Sequence, residues 1–557
     1  MKDLRDFIKL LRDRGQLAII DTPVDPILEI TEIADRVGKA GGPALLFTRP
    51  KGHRVPIFIN QFGSHERVCL ALRADSYESL AGRVERLVSP DLPDTAWEKI
   101  KALSKLKDLA ALQPRTVKDG PCQEVVLTGD QVDLGALPVL KCWPLDGGPY
   151  ITLPLVFTKH PLTGRRNVGM YRLQIYDART TGMHWHLHKD AAEHLRISRG
   201  KLEVAVAIGT DPAITYAATA PVPGALDEMA FAGFLRGDAV DMVRCLTVDL
   251  QVPAHSEFVL EGYVDSSEHR LEGPFGDHTG YYSLADEYPV LHVTAITHRK
   301  EPVYSTTIVG QPPMEDTYLA KATERLFLPL LRLSLPELVD MDLPKEGAFH
   351  NCALVSMRKR YPMHARKVMH ALWGAGQMQF CKCIVVVDED VDVHDYAKVA
   401  WRVFNNVDWK RDVMVTEGSL DALDHSSPQP FWGGKAGIDA TRKGPDEGHT
   451  REWPPDVVMS EDVKSRVDRL WPELGLAAFQ SRGTSLSSAV AGGASGTVAS
   501  GPAALGAVAP TAHLAATEAM APTEPVVATE PFAGTEPAAP LAPAESAAPA
   551  GPAVRQD

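Results

Sequence analysis

Long apolar segments, an excess of basic residues and CxxC cysteine pairs are all missing from this 557-residue sequence. No apolar run approaches the roughly 18–20 residues that a membrane-spanning helix needs. The 72 acidic residues outnumber the 58 basic ones, and a net charge of −14 argues against a protein that binds the phosphate backbone of nucleic acids. Hydrophobic residues make up 44% of the chain and charged residues 23%, which excludes a fibrous or wholly disordered protein.

The seven cysteines are odd in number and contain no CxxC pair, and apart from Cys381 and Cys383 they are widely spaced. They predict neither a zinc ribbon nor a disulfide framework, but buried free thiols in a reducing compartment, and we expect a cytoplasmic location. The signatures GxGxxG, GxxxxGK(S/T) and GxSxG are missing from the contexts in which they carry meaning, so the common nucleotide-binding and hydrolase classes are not indicated.

The first predicted domain covers residues 1–120 and mixes helices with short strands. Apolar residues from Leu4 to Leu11 recur at helical spacing, which predicts an amphipathic opening helix. The run 43–48 predicts a buried strand. Asp75-Ser-Tyr-Glu78 resembles a capping box that opens a helix ending near Pro90.

Two further domains follow, over residues 121–310 and 311–484. The first is rich in strand-like runs, among them 151–158 and 168–176, which flank a turn at 160–164 and predict a hairpin. Many strands at short spacing favour a sandwich or a barrel. The second alternates strands with helices, which predicts a mainly parallel α/β sheet.

Residues 485–557 change character, because Ala, Pro, Gly, Thr and Ser dominate and Thr-Glu pairs recur. Such a segment cannot bury enough apolar area to offset its ordering entropy. We expect a disordered tail without chemistry of its own.

Polar residues of the kind that do chemistry are concentrated in the second domain. Glu272 and Asp277 are separated by Gly-Pro-Phe-Gly, which cannot continue a helix and favours a turn. A turn can bring both carboxylates to one cavity. Beside an arginine such as Arg172 they would form an acid/base device in which mutual repulsion keeps one acid protonated. A surface turn with solvated acids is the alternative reading.

Asn167 and Arg172 are five residues apart, so on a regular strand they would face opposite sides. Both reach one site only if a bulge or twist lies between them. Gly169 would permit that distortion.

His184, His186 and His188 alternate, and on an ideal strand all three would share a face. They could hold a metal or simply form a partly exposed strand face. A second set, Asn167, His188 and Glu228, offers amide, imidazole and carboxylate donors suited to a divalent ion such as Mn²⁺.

Three other features have simpler readings. The acidic run 388–392 favours a helix start capped by Asp392 or Asp395 over a metal site. Cys381 and Cys383 read as core thiols. Gly433-Gly-Lys435 could cradle a phosphate or form a plain turn.

Six segments together resemble the UbiD family of decarboxylases, over about residues 1–480. They are Asp146-Gly-Gly-Pro-Tyr-Ile-Thr152, Asn167-Val-Gly-Met-Tyr-Arg172, Phe231-Ala-Gly-Phe-Leu-Arg-Gly237, Glu272-Gly-Pro-Phe-Gly-Asp-His-Thr-Gly280, Pro312-Pro-Met-Glu-Asp-Thr317 and Gly434-Lys-Ala-Gly-Ile-Asp-Ala-Thr441. The resemblance is strongest to the 4-hydroxy-3-polyprenylbenzoate decarboxylase branch, which has aspartate at the position of Asp277.

The resemblance implies an N-terminal α/β domain, a central split β-barrel that binds prenylated FMN, and a C-terminal α/β domain for homo-oligomerisation as a dimer or hexamer. It implies Mn²⁺ bound by Asn167, His188 and Glu228 at the cofactor phosphate, with a monovalent cation such as K⁺ nearby. The residues that would line the cofactor are Met170, Tyr171, Arg172, His184, Trp185, His186, Lys189 and Asp190, with Lys435 at the phosphate.

The family's catalytic triad would be Arg172, Glu272 and Asp277, with Asp277 as the proton donor. The implied reaction is non-oxidative decarboxylation of an aromatic carboxylic acid, first of all 4-hydroxy-3-polyprenylbenzoate in ubiquinone biosynthesis. A flavin prenyltransferase would supply the cofactor. A polyprenylated substrate also implies contact with a membrane surface, for which the opening helix is a candidate.

This sequence departs from that branch beside the flavin, where His184-Trp-His186 replaces Arg-Trp-Leu and Lys189-Asp190 replaces Arg-Gly. The departures put the substrate in question more than the cofactor. The alternatives are a decarboxylase, or reverse carboxylase, of a smaller phenolic or heteroaromatic acid and, more remotely, a catalytically silent flavin-binding scaffold.

Overall fold

The N-terminal segment surrounds a small sheet with amphipathic helices. The computed structural model describes residues 1–88, 112–186, 189–222 and 226–476. The elements of this segment are α1 (Leu4–Asp13), β1 (Leu17–Ile20), α2 (Glu29–Lys39), β2 (Ala44–Phe47), β3 (Ile57–Ile59), α3 (His65–Ala71) and α4 (Tyr77–Val88). The order β1-β2-β3 is extended by the distant strand Tyr304–Ser305, so the chain returns here after the central segment.

Helix α1 is amphipathic as predicted, and its apolar face is used inside the protein. Leu4, Phe7 and Leu11 are fully buried in a core cluster, and Asp3 caps the helix through the N–H of Asp6. An apolar face that is already buried cannot also enter a lipid surface, so a membrane contact through this face is not supported. Among the described residues, no helix has the length and apolar character to cross a bilayer.

Helix α4 begins where the sequence predicts, but with a different cap. Ser76 and Ser79 exchange hydrogen bonds, each side-chain oxygen accepting from the other's backbone N–H at 3.2 Å. The reciprocal pair is therefore one residue later than the predicted Asp75–Glu78 box. Pro90, the predicted end, lies outside the described residues.

The central segment is dominated by an antiparallel sheet. Its elements are β4 (Arg115–Val117), β5 (Val125–Thr128), β6 (Tyr150–Ile151), β7 (Leu155–Lys159), β8 (Arg166–Met170), β9 (Leu173–Gln174), β10 (Thr180–Gly182), α5 (Asp190–Ser198), β11 (Lys201–Ile208), α6 (Pro212–Ala217), α7 (Glu228–Arg236), β12 (Asp241–Arg244), β13 (Gln251–Pro253), β14 (Phe258–Glu272), β15 (Phe275–Gly276), β16 (Tyr282–Ser283), β17 (Asp286–His298) and β18 (Tyr304–Ser305).

The large sheet has the order β10-β17-β14-β11-β7-β8, and β5 also pairs with β17. The predicted hairpin is present as β7 and β8, which pair antiparallel from Leu155–Met170 to Lys159–Arg166. In the described residues no pairing joins the two ends of this order, so a closed barrel is not observed and the split barrel stays a prediction.

Strand β11 lies in the middle of this sheet and is buried on both faces. Val204, Val206 and Ile208 contribute to one core cluster, and the intervening Ala205 and Ala207 contribute to the other. Because side chains alternate along a strand, large and small residues here separate two cores. The sheet therefore forms a rigid support for the loops at its ends.

The C-terminal segment carries a five-stranded sheet of order β19-β20-β21-β23-β22. Its elements are α8 (Glu315–Ser334), β19 (Leu338–Asp342), β20 (Cys352–Met357), α9 (His364–Trp373), β21 (Cys383–Asp388), α10 (Tyr396–Asn406), β22 (Val413–Ser419), β23 (Trp432–Asp439) and α11 (Glu461–Leu470). The pairs β20–β21 and β21–β23 are parallel, but the edge strands β19 and β22 pair antiparallel. The expectation of a mainly parallel sheet is wrong: the sheet is mixed.

Two smaller predictions in this segment are confirmed. Asp395 caps α10 by accepting the N–H of Lys398, so the acidic run leads into a helix. Cys381 is buried and Cys383 is half-buried, and both are free thiols like the other five cysteines. The predicted disordered tail, 485–557, lies outside the described residues.

Candidate active site

Arg172 is the centre of a buried polar network. It lies between β8 and β9, where its Nε donates to Glu272 Oε1 at 2.8 Å and its Nη1 donates to Asp277 Oδ2 at 2.7 Å. Nη2 donates to Ser283 Oγ at 3.0 Å, and the guanidinium carbon lies 4.6 Å from the Phe275 ring centroid. Arg172 thus contacts both acids of the predicted triad, although Glu272 and Asp277 are 100 and 105 positions away from it in the sequence.

The chain reaches this arrangement because β8 ends at Met170, and not because of a bulge. The β7–β8 register is regular from end to end, and Arg172 lies two residues after Met170, the last residue of β8. Gly169 has another role: a Cβ there would lie 2.5 Å from atoms of the Tyr171 ring. Its missing side chain lets that ring lie against the strand, and the predicted distortion at Gly169 is wrong.

The predicted turn between the two carboxylates is present, and a second loop anchors it. Glu272 ends β14, Gly273 and Pro274 turn the chain, and Asp277 follows β15. A Cβ on Gly147 would lie 2.5 Å from the Cα of Gly273, so the two loops cross where neither has a side chain. Asp146 completes the anchor by accepting the N–H of Gly276 at 2.8 Å.

Both carboxylates are held in the charged form. Burial alone would raise the pKa of Asp277, but the hydrogen bond and charge of His278, together with Arg172, lower that pKa well below its ordinary value. Burial alone would also raise the pKa of Glu272, but the hydrogen bond of His184 and the charge of Arg172 outweigh burial and lower that pKa. The expectation that repulsion leaves one acid protonated is therefore wrong for the protein without ligands, because the cations outweigh the repulsion.

The segment 183–186 is irregular and does not form the strand on which three histidines would share a face. His184 Nδ1 lies 2.9 Å from Glu272 Oε1, and its Nε2 lies 3.0 Å from His186 Nε2. Burial lowers the pKa of both imidazoles, that of His186 to about 4. Two neutral rings therefore extend the network from Glu272; His188 lies outside the described residues.

Asn167 and Glu228 form a second polar pair nearby. Asn167 is on β8, and Glu228 begins α7, where its carboxylate accepts a hydrogen bond from the backbone N–H of Val168. Glu228 Oε2 is buried and has no hydrogen-bond partner within the described part of the chain, and burial raises the pKa of Glu228 to about 7. A buried carboxylate oxygen without a partner fits a cation ligand, and Asn167 would contribute its amide oxygen, because the amide N–H groups are donors only.

That observation concerns only two of the three predicted metal ligands, because the third, His188, lies outside the described residues. Among the described residues no group of three His, Cys, Asp or Glu side chains is placed to hold a metal ion. The Mn²⁺ and K⁺ sites stay predictions.

The remaining predicted cofactor residues lie in the central segment, except Lys435, which is in the C-terminal segment. Tyr171 and Trp185 are buried with ring centroids 6.4 Å apart, and the Trp185 Nε1 meets no acceptor among the residues that the structure describes. Met170 is half-buried at the end of β8, whereas Lys189 and Asp190 are exposed at the start of α5. An indole N–H buried without an acceptor is the kind of group that a bound ligand would satisfy.

Lys435 lies on β23 in the C-terminal sheet and is buried. Its ammonium donates to the carbonyl oxygens of Gln379 and Cys381 at 2.5 and 2.8 Å. An ammonium has three N–H donors, so one donor remains for an anion. Its predicted contact with a phosphate stays a prediction.

Sequence reasoning missed several members of the site. Ser283 and Asp146 hold Arg172 and the turn, and His278 contacts Asp277. The signals for Asp146 and His278 were present in the family-like motifs, where both residues occur. Ser283 and His350, which contacts His278, had no local signal, because only the folded chain brings them to the site.

Comparison with known families identifies the class. The models for the N-terminal, Rift-related and C-terminal domains of 3-octaprenyl-4-hydroxybenzoate carboxy-lyase match residues 8–87, 115–312 and 317–440. An uncharacterized protein of Archaeoglobus fulgidus is 52% identical over 480 residues, which are 85% of this chain and 98% of that protein. The chain therefore belongs to the UbiD family of carboxy-lyases, a three-domain family.

Solved structures agree with this assignment. The closed form of vanillic acid decarboxylase from Sedimentibacter hydroxybenzoicus is 29% identical with a TM-score of 0.75, covering 85% of this chain and 99% of that chain. The UbiD-class enzyme HmfF from Pelotomaculum thermopropionicum, in complex with FMN, is 30% identical with a TM-score of 0.68, covering 83% and 99%. An evolved dimeric form of HmfF in complex with prFMN is 27% identical with a TM-score of 0.66, covering 83% and 100%.

Proposed function

We propose that this protein decarboxylates an aromatic carboxylic acid with prenylated FMN as its cofactor. The observation that carries the proposal is the buried Arg172, which holds Glu272 and Asp277 at 2.8 and 2.7 Å. A guanidinium between two carboxylates keeps a proton-delivering acid in one place. The same geometry would serve carboxylation in the reverse direction.

The residues around Arg172 fit the cofactor. Glu228, through its unpartnered buried Oε2, and Asn167, through its amide oxygen, would hold a divalent cation at its phosphate together with His188. Tyr171, Trp185 and the other predicted lining residues would contact the flavin, and Lys435 would offer its third N–H to the phosphate. When bound, prenylated FMN supplies an electrophilic sink for the electrons of the substrate ring.

The protein's own groups then have separate tasks. Arg172 fixes the acid pair, and Asp277 delivers a proton to the ring carbon that loses CO₂. Glu272 keeps Arg172 in position, since its Oε1 accepts from both Arg172 and His184. The buried walls around this network exclude water that would otherwise screen its charges.

Two substrate classes have support. The family model takes its description from 3-octaprenyl-4-hydroxybenzoate, and 4-hydroxy-3-polyprenylbenzoate in ubiquinone biosynthesis is our first candidate. A smaller phenolic acid is the second, because a vanillic acid decarboxylase covers 85% of this chain. The neutral His184 and His186 beside Glu272 would suit a hydroxylated ring, as both can donate or accept a hydrogen bond.

The test is to co-express the chain with a flavin prenyltransferase and to measure the absorbance and mass of the bound cofactor. CO₂ release is then followed with 4-hydroxy-3-polyprenylbenzoate, vanillic acid and a furan acid, and exchange of labelled bicarbonate reports the reverse direction. We expect release from one class and none from the Arg172→Met control. A fully loaded protein that acts on no acid would support a silent flavin-binding scaffold instead.

Assembly and location belong to the same proposal. We expect a cytoplasmic homo-oligomer, a dimer or a hexamer, which sedimentation of the loaded protein would resolve. Sedimentation with liposomes would test whether a surface other than the apolar face of α1 contacts lipid.

A further inference from the structure

Asp277 is the end of a hydrogen-bonded chain that leads away from Arg172. Its Oδ1 lies 2.8 Å from His278 Nδ1, and His278 Nε2 lies 2.8 Å from His350 Nε2. The same Oδ1 also accepts the backbone N–H of His278 at 2.7 Å. One ring therefore bridges the predicted proton donor to a second imidazole.

The position of His278 is fixed by the C-terminal segment. Phe349 stacks on its ring with centroids 5.3 Å apart and an interplanar angle of 27°. Phe349 and His350 lie in the loop that links β19 to β20. The backbone of Phe349 has a positive φ of 51°. Two consecutive side chains of this link hold one face and one edge of the His278 ring.

The charges around the two rings differ. The charges of Asp277, Asp316 and Asp421 act on His278, and His350 lies at its other nitrogen. Burial alone would lower the pKa of His278, but the hydrogen bond and charge of Asp277, with the two other carboxylates, raise it to about 9. Burial and the charge of His278 lower the pKa of His350 to about 4, against the opposing effect of Asp421, Asp424 and Asp277.

The hydrogen bonds are consistent with one proton assignment. A doubly protonated His278 donates from Nδ1 to Asp277 and from Nε2 to His350, which then accepts at Nε2 as a neutral ring. In the same tautomer His350 Nδ1 carries a proton, and that nitrogen is buried without a partner among the described residues.

We propose that His278 stores the proton that Asp277 delivers to the substrate carbon, and that neutral His350 keeps His278 oriented for this transfer. This role rests on the proposed decarboxylation. His278 acts through Asp277, so it is a positioning and proton-supplying residue and not one that touches the reacting carbon.

The transfer balances as follows. The bond to the carboxylate breaks, CO₂ leaves, and the electron pair stays with the ring carbon. The His278 Nδ1–H bond breaks as an O–H bond forms on Asp277, and that O–H bond then breaks as the C–H bond forms. His278 ends neutral, and a proton from water restores it after product release.

The first experiment replaces His278 with Asn, which keeps a donor near Asp277 but cannot store a proton. We expect kcat at pH 7 to fall about 10²-fold, with little change in KM or cofactor load. In the wild type, kcat should fall as the pH rises through about 9, because His278 loses its proton there. This alkaline limb should be missing from His278→Asn.

The matched control is His394→Asn. His394 is also a carboxylate-paired histidine, with Nδ1 3.0 Å from Asp342 Oδ1, and its hydrogen bonds to Asp340 and Asp342 raise its pKa to about 9 as well. It has no contact with Asp277 among the described residues. We expect this variant to keep both the kcat and the alkaline limb of the wild type.

A second measurement does not depend on turnover or on the folding of one variant. In the unloaded protein labelled with ¹⁵N-histidine, the imidazolium signals of His278 and His394 should persist to about pH 9, and each Asn variant should remove its own signal. His350→Leu should lower the titration midpoint of His278 or the kcat of the enzyme, because it removes the acceptor at His278 Nε2. His350→Gln should restore part of the loss, because its side-chain amide can accept the same hydrogen bond.

The outcomes separate the two proposals. A loaded wild type that releases no CO₂ from any acid overturns both the function and this role. A wild type that decarboxylates while His278→Asn keeps its kcat and alkaline limb overturns the proton-storing role alone. If His278→Asn loses the alkaline limb of kcat while His394→Asn keeps it, the proton-storing role of His278 is supported.

Discussion

Replacing Arg172 with Met would leave two buried carboxylates without their shared cation. The side chains of Glu272 and Asp277 are only 1% and 9% exposed, so water cannot take the place of the guanidinium. Removing one partner from a buried ion pair costs about 3–5 kcal/mol. His184 and His278 still contact the two acids, so we expect a loss near 3 kcal/mol in the free energy of unfolding.

The loss should depend on pH in a defined direction. The folded-state pKa values of Glu272 and Asp277 are lowered, so their contribution to stability is complete above their unfolded values, about 4. It disappears as the pH falls through the lower folded values. Urea unfolding at pH 7 should therefore show the full difference between the wild type and Arg172→Met, and the difference should shrink in acid.

An exposed ion pair provides the control. Arg179 donates to Asp130 at 2.8 Å, but the two side chains are 48% and 103% exposed. Arg179→Met should cost no more than about 1 kcal/mol. If Arg172→Met were as mild as Arg179→Met at pH 7, the buried network described above would be refuted.

Three further substitutions test other parts of the site. Asp277→Asn should lower decarboxylation by about 10²–10⁴-fold in protein that still binds flavin, and normal turnover at full load would exclude Asp277 as the donor. Glu228→Gln should abolish retention of Mn²⁺ and reduce flavin load together, as measured by metal analysis and absorbance; a variant that keeps both would exclude Glu228 as a ligand. Gly169→Ala should cost roughly 1–3 kcal/mol in urea unfolding, because its Cβ would meet the Tyr171 ring at 2.5 Å. Gly200→Ala, where nothing lies within 4 Å of the added Cβ, is the control, and equal costs would contradict the packing argument.

Local elements were predictable where one signal dominates. The amphipathic opening helix is present as α1, and the hairpin turn at 160–164 joins β7 to β8. The capping box of α4 was shifted by one residue because Asp75, Ser76 and Glu78 offer competing caps within one turn. A cap is decided by differences of about 1 kcal/mol, which pattern alone does not resolve.

Strand direction was harder to predict, because it depends on how strands are connected. Alternation of strands and helices correctly indicated the crossover from β20 through α9 to β21, which makes that pair parallel. Strand β22 pairs antiparallel with β23, the next strand along the chain, and the sequence pattern gave no strand there. The mixed sheet follows from that missed hairpin and from the antiparallel edge strand β19.

The site itself was predictable in its members and not in its protonation. Family-like motifs named Arg172, Glu272 and Asp277, and the spacing of the two acids predicted their turn. The contacts to His184 and His278 join residues 88 positions apart in one case and adjacent in the other, and only the fold shows that both rings face the acids. Without those contacts, repulsion between carboxylates was the dominant effect to expect.

The charges that the pKa shifts imply indicate when the proton would move. Glu272 and Asp277 carry two negative charges that Arg172 and the protonated His278 offset, and Asp316 and Asp421 act on His278 in addition. An aromatic carboxylate that enters adds a negative charge, which raises the proton affinity of the acid beside it. Asp277 then has its proton source 2.8 Å away at His278 Nδ1. Binding of an anionic substrate would thus prepare the proton donor, so that Asp277 is an acid only when there is a ring to protonate.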